Sequence, residues 1–500
     1  MMEKCAHKKG EHSISFSSGS AAIADSNYRF TLWVCDVAEA VARAKSFSYR
    51  GVDLSYAFER GVYFALINNP EAYEVFRAER LGKPAALPAG EPTPAREILA
   101  EYLAHRDPAR PPNLPLRERL LNFARRTAAA LMRRKPSGPL WALAIQPRFV
   151  AHLKPILDEL GAPYRLVTFD DPVTDEYARA LGYLSLNAGA GNQTVPLRRL
   201  PNDIDLVRSH ALAFDAAFQL MFEELPSGIL LSEGNAPIYE IVNLAARKLR
   251  IPTVCVQQGW SPIVHTGFRN LRFSSMIVWG DWFAKALAPH NPAQRFSALG
   301  NHLIALGAPK ALRPKTVGFF LQRGSRLISD DAWAGMLDLI EFCARELPRA
   351  RVIVREHPNG PLTEDERARL SALPAVTLMP PAQVPLQPVL VQCDVVVSIF
   401  STTILEGIGA GALPLVVNVA SLPSYYPNVA AEGAGIEVRD FAMAREALST
   451  LWAEGTARYA PRVADLQRRL FASGGSDAIG RIVAHLRTTF RLAADDRAQL

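Results

Sequence analysis

Five hundred residues, 49% hydrophobic and 21% charged, suffice for about two to four domains with ample cores. That excludes a small disulfide-stapled or metal-nucleated fold and a chain disordered as a whole. The net charge is +7, and the five cysteines (Cys5, Cys35, Cys255, Cys343, Cys393) are scattered, odd in number and without a C-x-x-C pair. Neither structural zinc, nor any other metal site, nor a disulfide framework is therefore expected, and the odd count points to a reducing compartment.

In chain order, the first residues are polar and lack the apolar core of a secretory signal, so 1–28 read as a disordered cytoplasmic tail. Phe30–Cys35 reads as a strand and Val37–Ala44 as a helix. Residues 60–140 read as a helical insertion with a proline-rich loop around Leu87–Pro94. Inside it, Arg117, Arg119, Arg125, Arg126, Arg133, Arg134 and Lys135 stand against a single acid, Glu118. Apolar residues recur there at three- and four-residue separations, which describes a basic amphipathic helix stopped by Pro136-Ser137-Gly138-Pro139. Such a helix fits an anionic membrane surface or an ordinary solvated face equally well. No run approaches the ~18 apolar residues of a membrane span; the richest, Val389 to Phe400, is broken by Gln392 and Asp394.

From Trp141 onwards short β-rich runs alternate with helix-length amphipathic ones, the signature of parallel sheets with helices on their faces. Strands are predicted at Trp141–Gln146, Arg165–Phe169, Ile229–Leu231, Thr253–Val256, Met276–Trp279 and Leu303–Leu306, with helices at Pro201–Leu225 and Pro237–Leu249. A joint with prolines and lysines, residues 307–315, precedes a second series. Its strands are Val317–Leu321, Arg351–Arg355, Val376–Leu378, Val395–Ser398 and Leu413–Val417; its helices are Asp331–Leu347, Glu364–Leu370, Leu386–Gln392 and Thr402–Gly409. The expected fold is α/β with two facing, doubly wound, Rossmann-like domains. They span 29–310, including the insertion, and 311–443, and helices over 444–500 pack back across them.

Open parallel sheets bind ligands at the carboxyl ends of their strands, so the strand-to-helix turns are where chemistry is expected. In the run 394–414, a strand ending at Ser398 leads into Ser401 and Thr402 at a helix start, a place that suits phosphate. Glu406, one turn on, is placed to accept from ribose hydroxyls; the same residues also fit a plain N-cap and a solvated carboxylate. The strand 352–355 ends at His357-Pro358, and the proline biases His357 to an extended backbone that projects its ring from the strand end. There an imidazole donates to phosphate or acts as general acid, or simply marks a turn. Glu233, in Ser232-Glu233-Gly234, faces the cleft as a base or caps a helix. Gln258, Gly259, Trp260 and His265 offer close backbone approach, hydrogen bonding and a sugar-stacking face to an acceptor, while Trp279 and Trp282 fit the core. Arg323 follows the first strand of the second domain and brings a guanidinium to phosphate or forms an ordinary turn.

Together, His357-Pro358, Ser401-Thr402 and Glu233-Gly234 resemble the motifs of bacterial sialyltransferases and Kdo transferases of the GT-B fold. That resemblance implies that His357, Ser401 and Thr402 hold the CMP part of an activated acid sugar and that Glu233 is the catalytic base; Arg323, Pro358, Ser398 and Glu406 complete the expected nucleotide-sugar site, and His357, as general acid, is the second expected catalytic residue. Only one of the family's two adjacent acids is present. Gln257-Gln258-Gly259 with Trp279-Gly280 and Gly307 is also similar to capsule and teichoic-acid polymer transferases that use CDP-glycerol and its relatives. Gln258 stands where their histidine would, which counts against CDP-polyol phosphate transfer. Tyr49-Arg50-Gly51-Val52-Asp53-Leu54 is similar to a segment near the start of surface-polysaccharide transferases. The likeness covers about residues 226–418.

The expected function is metal-independent glycosyl transfer in capsule or other surface-polysaccharide assembly, from a nucleotide sugar to a glycan or lipid-linked acceptor. A CMP sugar carrying Kdo or sialic acid is the expected co-substrate. No other cofactor and no nucleic-acid partner is expected, and the place of action is the cytoplasm, at the inner face of the membrane. A nucleotide-sugar 2-epimerase and a degenerate glycan-binding protein of the same fold are the other readings.

Overall fold

The structure is a computed structural model that describes residues 20–45, 47–84, 87, 91–104, 136–169, 171–181, 206–261, 263–310, 313–323, 328–357, 360–381, 384–419 and 427–492. A helical region comes first: α1 (Ser20–Lys45), the hairpin β1 (Ser48–Tyr49) and β2 (Val52–Asp53), α2 (Ser55–Leu66), α3 (Pro70–Arg80) and α4 (Pro94–Ala104). The first lobe follows with β3 (Leu140–Leu143), α5 (Pro147–Leu160), β4 (Tyr164–Val167), α6 (Pro172–Ala180), α7 (Leu206–Glu224), β5 (Ile229–Ser232), α8 (Pro237–Leu249), β6 (Thr253–Val256), β7 (Ser275–Val278), α9 (Asp281–Leu287) and β8 (Phe296–Ala298). The second lobe holds β9 (Thr316–Phe320), α10 (Asp330–Glu346), β10 (Arg351–Arg355), α11 (Glu364–Ser371), β11 (Val376–Leu378), α12 (Leu386–Gln392), β12 (Val395–Ser398), α13 (Thr403–Gly409), β13 (Leu413–Val417) and β14 (Ile436–Val438). Three helices close the chain: α14 (Phe441–Glu454), α15 (Ala460–Leu470) and α16 (Gly475–Phe490).

Each lobe is built on a six-stranded sheet whose neighbours all run parallel, in the orders β4-β3-β5-β6-β7-β8 and β11-β10-β9-β12-β13-β14. The second is the Rossmann order and the first the related doubly wound order in which the second strand takes the edge, so the expected pair of Rossmann-like lobes of the GT-B fold is present. The sequence cause is plain. Leu-Trp-Ala-Leu, Thr-Val-Cys-Val and Val-Val-Val-Ser are buried along their whole length, because helices cover both faces of a parallel sheet. Helix starts are equally local. Pro70, Pro147, Pro172 and Pro237 open α3, α5, α6 and α8, and Thr363 with Glu366 forms a capping box on α11.

The lobes are stitched by the connector and by the carboxy-terminal helices. The Gly307 and Lys310 amides donate to the carbonyls of Gly409 and Gly411 at 2.9 and 3.0 Å, and Gln467 of α15 donates to Gly307, Ile408 and Gly409. On the first lobe, α15 packs against α9, where a Cβ on Gly280 would sit 2.5 Å from the Leu470 carbonyl. Finally α16 lies along α5. Cys35, Cys255, Cys343 and Cys393 are buried free thiols. Among the described residues no helix is long and apolar enough to cross a membrane.

Several expectations are corrected. Residues 20–45 form one helix, not a tail, a strand and a helix: Phe30, Val34, Val37, Ala38 and Val41 fall on one buried face, each large side chain contributing about 1.5–3 kcal/mol. The segment before β3 is thus an amino-terminal helical region, with helices beginning well before residue 60. Leu303–Leu306 is not a strand. Phe296–Ala298 pairs with β7 instead, and Leu303 and Leu306 are exposed while the connector bonds to residues 473–475. The short edge strand β14 was not expected. The basic run 117–135 and residues 201–205 lie outside the described residues.

Candidate functional site

Ligands of open parallel sheets sit where the strand order reverses, and each lobe has such a point. In the first lobe it lies between β3 and β5. Strand β5 delivers Glu233 and Gly234, both left-handed at φ +67° and +74°. Gly234 is required there, since a Cβ would meet Cys255 Sγ at 2.8 Å and the Phe273 ring at 2.9 Å. Glu233 adopts that conformation against its preference, held by its amide donating to Val256 O at 2.9 Å, the kind of strain that persists where surroundings over-determine the backbone. Strand β3 leads to Pro147 and Arg148 at the start of α5. Arg148 Nη2 donates to Glu233 Oε2 at 3.1 Å, the carboxylate being 14% exposed and the guanidinium 53%. Burial raises the Glu233 carboxyl above its usual range, and Arg148 pulls it back.

Beneath Glu233 lies a neutral polar support. Ser232 Oγ and His152 Nδ1 are 2.9 Å apart, and His302 of the connector, as its Nε2–H tautomer, donates to His152 O at 2.7 Å. Burial lowers both imidazoles, His302 to about 4.

In the second lobe the reversal lies between β9 and β12. Gln322 Oε1 accepts from the Phe400 amide at 3.1 Å, tying the two turns together. The Ser401 hydroxyl and the Thr403 amide and hydroxyl bond one another at 2.9–3.2 Å at the mouth of α13. Glu406, on α13, is buried, and burial pushes its carboxyl up to about 7 against the opposing charge of Arg355 at the end of β10. No described residue donates a hydrogen bond to that carboxyl. His357, just beyond β10, is half-buried, and its imidazole is held below the usual range first by burial and then by the positive charge of Arg148. Arg148 of the first lobe therefore acts on both Glu233 and His357.

The remaining expected site residues separate on inspection of their partners. Ser398 is buried and donates to Phe320 O at 2.8 Å, a structural bond and not one offered to a nucleotide. Arg323 is turned away: its guanidinium bonds Glu366 at 2.5 Å and lies over the Trp333 ring, because Glu366 at the start of α11 and Trp333 on α10 present a ready anion and a ring face. Thr402 is engaged across the cleft, its hydroxyl donating to Trp260 O at 2.9 Å and accepting from Trp260 N at 3.1 Å. Glu406 is neither solvated nor reaching outward. At Gly259 a Cβ would meet only Thr402 Oγ1 at 3.5 Å, so no close backbone approach demands glycine there. The Trp260 ring packs edge-on against Trp282 and Phe283 instead of standing free for a sugar. His265 is stacked on Tyr63 of α2 at 4.9 Å and accepts from Gly267 N, which ties it to the helical region. Gln258 is half-buried, and no described residue hydrogen-bonds its side-chain amide. Pro358 lies outside the described residues.

Reading turns for familiar motifs passed over Arg148, Gln322 and Arg355. Each sits at a strand end or the first turn of the following helix, the location already singled out, and Arg148 follows Pro147 as Asn359 follows Pro358. Among the described residues no three His, Cys, Asp or Glu side chains are grouped to hold a metal ion.

No family model matches the chain, and no curated protein matches it. Among solved structures it is similar to the S. aureus MnaA–UDP complex at 12% identity and a TM-score of 0.47, over 72% of this chain and 98% of that one. It is similar to UDP-GlcNAc 2-epimerase from Neisseria meningitidis bound to UDP-GlcNAc at 12% identity and 0.45, over 70% and 100%. Acinetobacter baumannii MurG gives 11% identity and 0.43, over 70% and 100%. Nothing about substrate follows from likenesses this distant.

Proposed function

We propose that this chain is a glycosyltransferase of the GT-B type that moves a sugar from a nucleotide to a hydroxyl of a glycan or lipid-linked acceptor. One observation carries the reading: at the first lobe's reversal point Glu233 stands on a left-handed strand-end turn, 14% exposed, with Arg148 3.1 Å from its carboxylate. Glu233 takes the proton of the attacking hydroxyl; its buried, strained setting and elevated proton affinity suit a base working near neutrality. Burial and the charge of Arg148 hold His357 below its ordinary range, which favours the neutral ring, so it serves the departing phosphate as an N–H donor. Glu406, protonated in part near neutrality and with no described residue donating to it, accepts or donates at a ribose hydroxyl that reaches it. The Gln258 amide and the Trp260 backbone line the acceptor side.

The motif resemblance supports a CMP-linked acid sugar and a role in capsule or surface-polysaccharide assembly at the cytoplasmic face of a membrane, with residues 117–135 as the membrane contact. The scheme invokes no metal. The distinguishing experiment is thermal stabilisation by CMP, CDP, UDP and GDP of the wild type and of His357→Ala. Stabilisation by CMP, about 2.7 kcal/mol at a hundredfold excess over Kd and lost in the variant, is expected. Stabilisation by UDP alone moves the donor to a UDP-hexose, and conversion of that donor without acceptor identifies a 2-epimerase. No stabilisation by any nucleotide overturns the reading.

A further inference from the structure

We propose that Arg148 is a ligand-displaced clamp on Glu233: a phosphate group that reaches Arg148 takes over the guanidinium and leaves the Glu233 carboxylate without its partner. The inference rests on the reading of the cleft as a nucleotide-sugar site, and it names how that site is regulated.

The geometry supplies each part. Arg148 holds Glu233 through one Nη2–Oε2 contact at 3.1 Å, not a two-pronged fork, so the rest of the guanidinium stays available to a second oxyanion. Its guanidinium carbon lies 4.7 Å from the centroid of the neighbouring Phe149 ring, and about half of the side chain meets solvent. The positive charge of Arg148 also bears on His357 of the opposite lobe. Around Glu233, the Tyr239 phenol of α8 and the Cys255 thiol of β6 are buried and uncharged, and burial raises both, so Arg148 is the charge that opposes desolvation of the carboxylate. Take that charge away and a buried carboxylate binds a proton more tightly. In the empty cleft Glu233 is thus paired and ionised; with the anion bound it loses its counter-charge and its affinity for a proton rises, and the fraction that remains ionised is the stronger base toward an acceptor hydroxyl.

With no acceptor present, the balance is at most one proton from solvent to Glu233 Oε for each phosphate group bound; during turnover the ionised fraction takes its proton from the acceptor hydroxyl instead. The test is titration calorimetry of inorganic pyrophosphate, and separately of UDP and CMP, near pH 6 in buffers of different ionisation enthalpy. Wild type, Glu233→Gln, Arg148→Ala and Arg148→Lys are compared. Protons taken up by the ligand and by His357 are common to wild type and Glu233→Gln, so the difference between those two isolates Glu233. Greater proton uptake by wild type than by Glu233→Gln is expected, with pyrophosphate affinity falling about tenfold or more in Arg148→Ala and partly restored in Arg148→Lys. Equal uptake, or unchanged affinity in Arg148→Ala, overturns the clamp while nucleotide binding by the wild type leaves the transferase reading standing. Failure of the wild type to bind any nucleotide or pyrophosphate overturns both. The exposed guanidinium makes Arg148→Ala a variant that folds, and its melting temperature checks this.

Discussion

The two reversal points differ in how they treat their polar groups. At the first, Arg148 and Glu233 are charged, partly exposed and joined by a single contact, on a backbone forced into the left-handed region. At the second, Ser398, Gln322 and Phe400 satisfy one another, Thr402 is engaged by Trp260, and Glu406 is buried opposite Arg355 with its carboxyl pushed up to about 7. The contrast teaches a division of labour. On the proposed reading, one lobe keeps charge available for proton transfer, and the other keeps a rigid turn against which a nucleotide is fixed.

The sharpest way to break that contrast is Glu233→Gln. Loss of a general base lowers turnover of the nucleotide sugar by about 10²–10⁴-fold, with the melting temperature nearly unchanged. A loss under tenfold would place the base elsewhere. Next, Gly234→Ala should destabilise by about 2–3 kcal/mol in denaturant titration, because it adds a Cβ against Cys255 and Phe273 at φ +74°. Stability equal to wild type would show that the turn is not strained.

Glu406 gives a comparison in pH. Its folded-state carboxyl sits near 7, above the ordinary 4.5, so it adds stability that is fully present below 4.5 and lost as pH rises through 7. Between pH 8 and 5 the wild type should therefore gain about 2–3 kcal/mol relative to Glu406→Gln, read from paired melting curves. His302 runs the other way, its folded value near 4 lying below 6.5. Wild type should lose about 2 kcal/mol relative to His302→Gln as pH falls from 7 to 5. Parallel pH profiles for variant and wild type would contradict either assignment. The smallest effect belongs to Thr402→Val, which removes both bonds to the Trp260 backbone and should cost about 1 kcal/mol while widening the cleft in small-angle scattering. An unchanged scattering profile would show that this contact does not hold the lobes together.

The same contrast governs what could be read beforehand. Val395–Ser398, Thr253–Val256 and Leu386–Gln392 were legible because an uninterrupted apolar run, or a run at helical spacing, ends at turn residues. Phe30–Cys35 was misread because aromatic and β-branched residues favour a strand in a short window, whereas packing against α2 rewards the 3.6-residue period of the longer one. Strand β14 has three residues at a sheet edge, two of them half-buried, and carries too little pattern to stand out. Glu233 and His357 were legible as strand-end residues. Arg323 looked equally eligible until Glu366, far along the chain, bound it.

By itself, then, the order of residues determined two parallel sheets and the turns at their carboxyl ends, because burial on both faces demands continuous apolar strands and each turn leaves a local signature in glycine and proline. Tertiary structure alone decided which polar groups in those turns are engaged and which remain for a ligand. Arg148 with Glu233, Thr402 with Trp260 and Arg323 with Glu366 are pairs separated by 43 to 142 residues, and the shell of packed side chains around each carboxylate or imidazole, which sets its proton affinity, is assembled from the whole lobe.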